Sequence, residues 1–256
     1  MSVQKLAGTF KALHKPGDPL VLANVYDILS ARAVASLPSN KALATASYSV
    51  AAACGIMDDD LDLDSNLSAV RGIAAVAKEH NKPLTVDIQD AYGESLEKAI
   101  ASIIHLGVVG VNLEDYDKDN HVLYSPEVAV ERIQRVLAVS QREGVPDFVV
   151  NARCDVLAQG GQLDEVLRRG KKYLAAGATA VFVYGGSKRG GISGKEVQTM
   201  VKEFDGRLSV ILKMKPDGLT VPQLRELGVA RISVGPQIQI MATDAFAKEA
   251  EKILTA

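Results

Sequence analysis

The sequence predicts a (β/α)8 barrel, a single domain over residues 1–256 that begins with an N-terminal helix. Eight short apolar runs rich in β-branched residues recur along the chain, each followed by a polar cluster and a segment of helical periodicity. Three segments, LGVVGV, AGATAVFV and LGVARISV, repeat one junction from helix through glycine to strand. Strands that are buried on both faces and alternate with helices form parallel sheets, and eight such units most simply close into a barrel.

The predicted elements follow from these patterns in chain order. The predicted strands are Leu20–Asn24, Ala42–Ala46, Leu84–Ile88, Gly110–Glu114, Phe148–Ala152, Ala180–Tyr184, Leu208–Leu212 and Arg231–Val234. The predicted crossover helices include Asn66–Glu79, Ser95–His105, Pro126–Arg142, Leu163–Ala176 and Val221–Leu227. Ser125 and Thr220 stand where helix N-caps are expected.

A doubly wound open sheet is the structural alternative. Such a sheet normally has fewer strands and a glycine-rich phosphate-binding turn after the first strand. Here the first strand ends in Asn24-Val25-Tyr26-Asp27, which has no glycine. The barrel is therefore the better prediction.

Composition excludes several classes of partner. The 29 basic and 31 acidic residues give a formal charge of -2, so the chain has no excess of positive charge with which to bind nucleic acid or an acidic membrane surface. Cys54 and Cys154 lie far apart without a metal-binding spacing, so neither a disulfide framework nor a zinc site is indicated. The first residues lack the continuous apolar run of a signal peptide or membrane span. These observations predict a cytoplasmic protein.

Acidic residues follow several predicted strands. The active site of a parallel barrel lies at the carboxyl ends of its strands, where this chain has Asp87–Asp90, Glu114–Asp115 and, after the second strand, Asp58–Asp60. Alternation places Asp87 and Gln89 on the same side of their strand. Converging carboxylates with little compensating charge hold a hard cation, which predicts Mg²⁺, with Mn²⁺ as a substitute.

Each of these acids also has an ordinary structural interpretation. As a bare run of charge, Asp58–Asp60 is more often a solvated turn, and Asp115 could simply cap the loop that follows. Asp87 and Glu114 are different, because an acid that ends a buried apolar strand must be paired, coordinated or protonated. For these two residues the functional interpretation is preferred.

The fifth predicted strand supplies a positive charge at the same end. Arg153 follows its apolar core, and a guanidinium binds a substrate carboxylate bidentately. An internal ion pair with Asp155 or Glu114 is the alternative. Asn151, on the same strand, is a further candidate substrate contact, and the backbone near Ser47 could approach an anion closely. A pocket for a metal-chelating carboxylate is the resulting prediction.

Four segments together carry a family resemblance. In this order and at suitable spacing, TASYSVAAACGIMDDD, TVDIQDAYG, VNLEDYD and VVNARCDVLAQGG resemble the isocitrate lyase/phosphoenolpyruvate mutase superfamily. The resemblance implies a (β/α)8 barrel with an eighth helix swapped between subunits and a homotetramer built as a dimer of dimers. It also implies Mg²⁺-dependent chemistry on a small carboxylate, a 2-oxo acid or a relative of one, through an enolate-like intermediate.

The resemblance assigns a metal site. Asp87 resembles the direct metal ligand, while Asp58 and Glu114 resemble catalytic acids that hold metal-bound water. Gln89 stands where relatives commonly have a second acid, and it can hydrogen-bond a metal-bound water without adding charge. Reduced metal affinity is the expected consequence.

The resemblance also assigns substrate contacts. Arg153 resembles the residue that grips the substrate carboxylate, and the backbone around Ser47 and Tyr48 resembles a second anchor. The loop after the fourth strand lacks the Lys-Cys-Gly-His sequence whose cysteine serves as general acid in the isocitrate and methylisocitrate lyases. Neither cysteine of this chain takes that role.

Three functions remain open at this point. The leading expectation is a Mg²⁺-dependent lyase or hydrolase that cleaves a C–C bond beside a 2-oxo carboxylate, with an oxaloacetate-like or methylisocitrate-like substrate. The second is phosphonopyruvate hydrolase or phosphonomutase chemistry, since Lys118-Asp119-Asn120 resembles the Lys-x-Asn of those gating loops. The third is a barrel that binds a 2-oxo acid without catalysis, which Gln89 and the missing cysteine would fit.

Overall fold

The computed structural model describes residues 1–256 as a barrel of parallel strands surrounded by helices. In chain order the strands are β1 (Leu20–Leu22), β2 (Asn24–Val25), β3 (Leu43–Thr45), β4 (Leu84–Asp87), β5 (Gly110–Glu114), β6 (Tyr116–Asp117), β7 (Val122–Leu123), β8 (Val149–Cys154), β9 (Ala180–Val183), β10 (Leu208–Ile211) and β11 (Arg231–Ser233). The barrel sheet runs in the order β1-β11-β10-β9-β8-β5-β4-β3-β2, and β6 and β7 form a separate antiparallel hairpin. Every predicted strand is present, which confirms the predicted fold class.

The helices alternate with these strands. They are α1 (Val3–Ala12), α2 (Ile28–Ala35), α3 (Ser47–Cys54), α4 (Leu63–Glu79), α5 (Leu96–His105), α6 (Pro126–Arg142), α7 (Leu163–Ala175), α8 (Gly194–Glu203), α9 (Val221–Glu226) and α10 (Gln237–Leu254). None of them is both long enough and apolar enough to cross a bilayer. A cluster of 54 buried apolar residues fills the space between the barrel and its helices.

The predicted helix ends have the expected local chemistry. The Ser125 side chain accepts a 3.2 Å hydrogen bond from the N–H of Val128, and Thr220 forms a capping box at the start of α9. Gly107, Gly177 and Gly228 have φ values of 91°, 105° and 95°, a conformation that favours glycine at a helix C-terminus.

The first predicted strand differs from its prediction because it is divided into β1 and β2. β1 pairs with β11, whereas β2 pairs with β3, so the sheet closes across the break. The side chain of Asn24 replaces the interrupted backbone ladder at this point. Its Nδ2 donates to the carbonyl of Thr45 (2.8 Å), and its Oδ1 accepts from the backbone N–H groups of Val234 (3.0 Å) and Gly235 (2.8 Å).

Helix α1 covers the amino end of the barrel. Phe10 is fully buried, and its ring lies 5.9 Å from the Arg231 guanidinium at the start of β11. A Cβ added at Gly110, the first residue of β5, would come within 3.0 Å of the same ring. The strand amino ends are therefore closed, and a small molecule must enter from the carboxyl ends.

Helix α10 packs differently from the other long helices. None of its residues is buried, although it carries Ile238, Ile240, Met241 and Phe246. Phe246 has 77% of its surface exposed. An isolated chain thus leaves an apolar helix uncovered, which is unusual for a globular protein.

Candidate active site

The predicted acids and arginine meet at the carboxyl-end mouth of the barrel. Asp87 ends β4 and is paired in register with Asn112 of β5, while Glu114 is paired with Arg153 of β8. Directly paired residues of parallel strands face the same side of a sheet, and here that side is the barrel interior. Local sequence placed each residue at a strand end, and barrel closure places them beside one another.

Arg153 lies in a tightly defined position. Its Nη1 donates to Glu114 Oε1 (2.6 Å), and its Nε (3.1 Å) and Nη2 (2.8 Å) both donate to Asp155 Oδ1. The Tyr184 ring stacks on the guanidinium, with its centroid 4.5 Å from Cζ. The structure therefore contains the internal ion pairs considered above. Since these three bonds leave further N–H donors of the fork uncommitted, substrate binding by Arg153 stays a prediction.

Gln89 contacts two of the predicted acids. Its Nε2 donates to the backbone carbonyl (2.7 Å) and Oδ1 (3.1 Å) of Asp58, and its backbone N–H donates to Asp87 Oδ1 (3.3 Å). Gln89, Ala91 and Tyr92 all have left-handed backbone conformations, with φ of 51°, 61° and 59°. Such strain in residues other than glycine concentrates at functional sites. The turn after β4 is thus held in a costly shape that brings Gln89 against Asp58.

The environment raises the pKa of three acids at the mouth, Asp87, Asp58 and Glu114. Burial raises the pKa of Asp87, although Arg153 opposes the shift. Burial and the negative charge of Asp87 raise the pKa of Asp58, and burial raises the pKa of Glu114 well above its ordinary value. Asp58, Asp87, Glu114 and Asp155 all lie within the influence of one arginine, Arg153, so the mouth favours the arrival of further positive charge.

The helix after β3 supplies the remaining polar contacts. Ser47, the first residue of α3, is buried, and its backbone opposes the rise in the pKa of Asp87 while its hydroxyl opposes the rise in the pKa of Asp58. Tyr48, the next residue, is 52% exposed. The structure therefore brings Ser47 to the predicted site and leaves Tyr48 at its rim.

Asn151 lies deeper than the other predicted contacts. It is fully buried two residues before Arg153 on β8, and its Nδ2 donates to Asn112 Oδ1 (2.8 Å) and Ser209 Oγ (3.3 Å). Residues two apart on a strand are about 7 Å apart along it, so Asn151 occupies a lower layer of the barrel interior. The structure does not bring it to the mouth.

The hairpin of β6 and β7 lies beside the mouth. Lys118 Nζ donates to the carbonyls of Asp59 (2.9 Å) and Leu61 (2.8 Å), which ties the hairpin to the loop that carries Asp58. Asn120 Nδ2 donates to Asp117 Oδ2 within the hairpin (2.9 Å). Both polar residues of the Lys-x-Asn sequence therefore have partners outside the mouth.

Two residues of the site were not found by sequence reasoning. Tyr184 stacks on Arg153, and Asn112 lies between Asp87 and Asn151. The signal for Asn112 was available, since it is a polar residue at an inward position of the otherwise apolar run Gly110–Leu113. Tyr184 gave no comparable signal, because an aromatic residue after a strand is ordinary.

The donor chemistry fits a magnesium ion. No three His, Cys, Asp or Glu side chains lie close enough together to hold a metal ion directly. Asp87, Asp58 and Glu114 nevertheless supply carboxylate oxygens, and the buried Oε1 of Gln89 has no hydrogen-bond partner. Mg²⁺ usually keeps several waters and binds through one or two carboxylates. A site with one direct ligand and water-mediated contacts suits that preference.

We expect added Mg²⁺ to raise the melting temperature more at about pH 8 than at about pH 5, because metal binding requires deprotonated carboxylates. A raised pKa in the folded state contributes stability below the unfolded-chain values of 3.8 for Asp and 4.5 for Glu, and this contribution is lost as the pH rises through the raised value. Differential scanning fluorimetry across pH, with and without Mg²⁺, measures both effects. An equal metal-induced shift at both pH values would contradict this prediction.

Comparison with known proteins identifies the family. A family model described as phosphoenolpyruvate phosphomutase matches residues 10–254. The chain belongs to the phosphoenolpyruvate phosphomutase family. The superfamily resemblance drawn from the four sequence segments is thereby confirmed, and the family consists of enzymes that share this barrel.

Several relatives of this phosphoenolpyruvate phosphomutase family member show how widely the family varies. A Mycobacterium tuberculosis protein without an assigned activity is 30% identical over 233 residues, 89% of this chain and 81% of that protein. The 2-methylisocitrate lyase of Escherichia coli is 32% identical over 127 residues, 47% of this chain and 42% of the enzyme. A crystal structure of a candidate phosphonomutase from Burkholderia cenocepacia J2315 superposes with a TM-score of 0.86 at 32% identity, covering 98% of this chain and 99% of that one.

Proposed function

We propose that this protein is a Mg²⁺-dependent lyase or hydrolase that cleaves a C–C bond beside a 2-oxo carboxylate. The observation that carries the proposal is the meeting of Asp87, Asp58 and Glu114 with Arg153 at the only open end of the barrel. Acids that hold a divalent cation and a guanidinium suited to a carboxylate are the two requirements for binding a chelating 2-oxo acid.

The site residues have separate roles in this proposal. Asp87 would hold Mg²⁺ directly, while Asp58 and Glu114 would hold it through water. Mg²⁺ would stabilise negative charge on the 2-oxo oxygen as an adjacent bond breaks. Arg153 orients the substrate carboxylate with its uncommitted N–H donors and adds positive charge near the developing enolate.

The proposed reaction also requires a proton donor for the enolate that bond cleavage leaves. When the bond between the carbon beside the 2-oxo group and its substituent carbon breaks, the electron pair stays on the first carbon and delocalises as an enolate, which a proton then quenches. The substituent carbon leaves as CO2 or a carbonyl compound in a lyase, or is captured by water in a hydrolase. The chain has no cysteine in the β6–β7 hairpin, so the proton donor differs from that of the cysteine-containing lyases. Water at the mouth or a hairpin residue such as His121 is the candidate donor.

A substrate panel tests the proposal. Oxaloacetate and a set of 2-oxo and 2-hydroxy diacids are incubated with Mg²⁺ or Mn²⁺, and the products are followed by carbon NMR. At least one compound is expected to lose a C–C bond only when the metal is present. Inertness across the whole panel would remove this proposal.

Phosphonopyruvate chemistry is the second candidate. Its support is the Lys118-Asp119-Asn120 sequence in a hairpin beside the mouth, together with the likeness to the candidate phosphonomutase of Burkholderia cenocepacia. Mg²⁺ held by the same acids would then stabilise the enolate left when a P–C bond breaks. Phosphorus NMR with phosphonopyruvate decides, since an unchanged phosphonate signal excludes both hydrolysis and rearrangement.

A barrel that binds a 2-oxo acid without turnover is the third candidate. Gln89 supports it, because an amide in place of a carboxylate reduces the charge available to a metal ion. Calorimetry with oxalate, an enolate mimic, would then show binding while every substrate stays intact. Metal-dependent turnover of any compound would rule this candidate out.

We also propose that the protein assembles as a homotetramer in which α10 packs on a neighbouring subunit. The support is the absence of any buried residue in α10 and the exposure of its apolar side chains. We expect light scattering to give a mass several times the 27.2 kDa of one chain. Phe246→Glu should reduce this mass, whereas Glu249→Gln on the same helix should not; a monomeric wild-type protein would refute the assembly.

A further inference from the structure

We propose that Arg231 is a positioning residue for Asp87 and acts on it through Asn112, although it lies below the active-site mouth. The inference deepens the proposed function and rests on it, because Asp87 matters only if it holds the metal. Arg231 is the first residue of β11, is fully buried, and has the α1 ring of Phe10 beneath it. It is therefore out of reach of substrate.

Arg231 carries a buried positive charge that has no acidic partner. A buried guanidinium ordinarily has a carboxylate partner, because a buried charge without a partner strongly destabilises the fold. No acidic oxygen lies within 4.0 Å of Arg231, and its Nε and Nη1 have no hydrogen-bond partner. Its one hydrogen bond runs from Nη2 to Asn112 Oδ1, over 3.0 Å. The arginine is thus committed to a single amide.

Arg231 fixes the orientation of the Asn112 side-chain amide. An arginine can only donate, so the Asn112 atom that faces it must be the oxygen. Asn151 Nδ2 donates to the same oxygen over 2.8 Å, so the orientation of Asn151 is also fixed by the arginine. The Asn112 nitrogen must then point to the other side. Without Arg231, the Asn112 oxygen would lose one of the two donors that fix the orientation of this amide.

Asn112 connects Arg231 with Asp87 at the mouth of the barrel. Asn112 and Asp87 are register partners on neighbouring strands and face the same interior. Because the Asn112 oxygen accepts from Arg231 and Asn151, its amide nitrogen is the atom left to face the neighbouring carboxyl of Asp87, and the Asn112 side chain counteracts the rise in the pKa of that carboxyl. A flipped Asn112 would instead present its oxygen to the carboxylate, which is repulsive. Arg231 therefore helps to keep the Asn112 nitrogen turned toward Asp87 from the neighbouring strand, so that the carboxylate is held in place for a cation at the mouth.

Measurement of Mn²⁺ affinity, by electron paramagnetic resonance or calorimetry, tests the inference. We expect Arg231→Met, a variant of similar size, and Asn112→Ala each to weaken Mn²⁺ binding about 10- to 100-fold, as loss of an outer-shell residue that orients a metal ligand does. The double variant Arg231→Met/Asn112→Ala should bind Mn²⁺ no less tightly than the single variant with the lower affinity, since both substitutions act through one contact. Arg225→Gln, an exposed arginine on α9, is the charge-matched control and should bind as the wild type does.

The possible results separate the inference about Arg231 from the proposed function. Wild-type affinity in folded Arg231→Met, or additive losses in the double variant, would overturn the inference and leave the proposed function intact. A wild-type protein that binds no Mn²⁺ at all would overturn the proposed function and this inference with it. If Arg231→Met does not fold, as circular dichroism would show, Asn112→Ala and Asn112→Asp give the decision, because wild-type affinity in either excludes a role for the Asn112 amide.

Discussion

Asp87→Asn is expected to lower metal-dependent turnover by about a thousandfold, or ~4 kcal/mol of transition-state stabilisation. Asp87 is buried at the end of β4, accepts a hydrogen bond from the backbone N–H of Gln89, and would be the direct ligand of Mg²⁺. An amide of nearly equal shape keeps the packing but removes the charge that a hard cation requires. Turnover at saturating Mg²⁺ and Mn²⁺ affinity should therefore fall together.

The control for this variant removes the same charge elsewhere. Asp64→Asn changes an exposed acid in the first turn of α4 and should leave both turnover and Mn²⁺ affinity unchanged. Substantial activity in Asp87→Asn, at wild-type metal affinity, would mean that this carboxylate is not the metal ligand. The catalytic centre would then have to lie elsewhere in the barrel.

Arg153→Ala is expected to reduce the free energy of unfolding by about 3–5 kcal/mol, because it leaves two buried carboxylates without their partner. Arg153 binds both Glu114 and Asp155, whose side chains are only 10% and 3% exposed. The loss should be larger at about pH 8 than at about pH 5, since Glu114, with its raised pKa, is more fully ionised at the higher pH. Chemical denaturation at the two pH values measures the difference.

The same variant should also raise KM strongly if Arg153 grips the substrate carboxylate. Arg142→Ala, an arginine at the end of α6 with 64% side-chain exposure, is the control and should alter neither stability nor KM. A destabilised Arg153→Ala enzyme with wild-type KM would show that the guanidinium is structural only. Unchanged stability would contradict the ion pairs themselves.

A network behind the strands holds the partner of Arg153 in place. Asp115 accepts from the backbone N–H of Asp155 (2.8 Å), from the Tyr173 hydroxyl (2.6 Å) and from Arg169 Nη1 (3.2 Å). Tyr173 and Arg169 lie on α7, so this helix is connected through Asp115 to the loop that positions Asp155. Asp115 directly follows Glu114, and successive side chains along a strand point to opposite faces. Glu114 therefore faces the barrel mouth, whereas Asp115 faces α7 behind the strand.

The sequence by itself determined the barrel, because eight buried strands that alternate with helices leave few other closed arrangements. It also determined which acids stand at strand ends, since Asp87 and Glu114 directly follow short, mainly apolar strand segments. Ser125, Thr220 and the junction glycines were predicted from purely local chemistry, and all have the predicted conformation. Each of these features depends on neighbours within a few residues.

Only the tertiary structure decided which residues meet across the barrel. Pairing of Arg153 with Glu114, stacking on Tyr184 and the contact of Gln89 with Asp58 join residues about 30 to 40 positions apart. Asn151 lies one layer below the mouth and Arg231 reaches Asn112 from the far side of the barrel, because strand register sets the depth of each side chain. Register depends on how strands align when the sheet closes, and no local pattern encodes it.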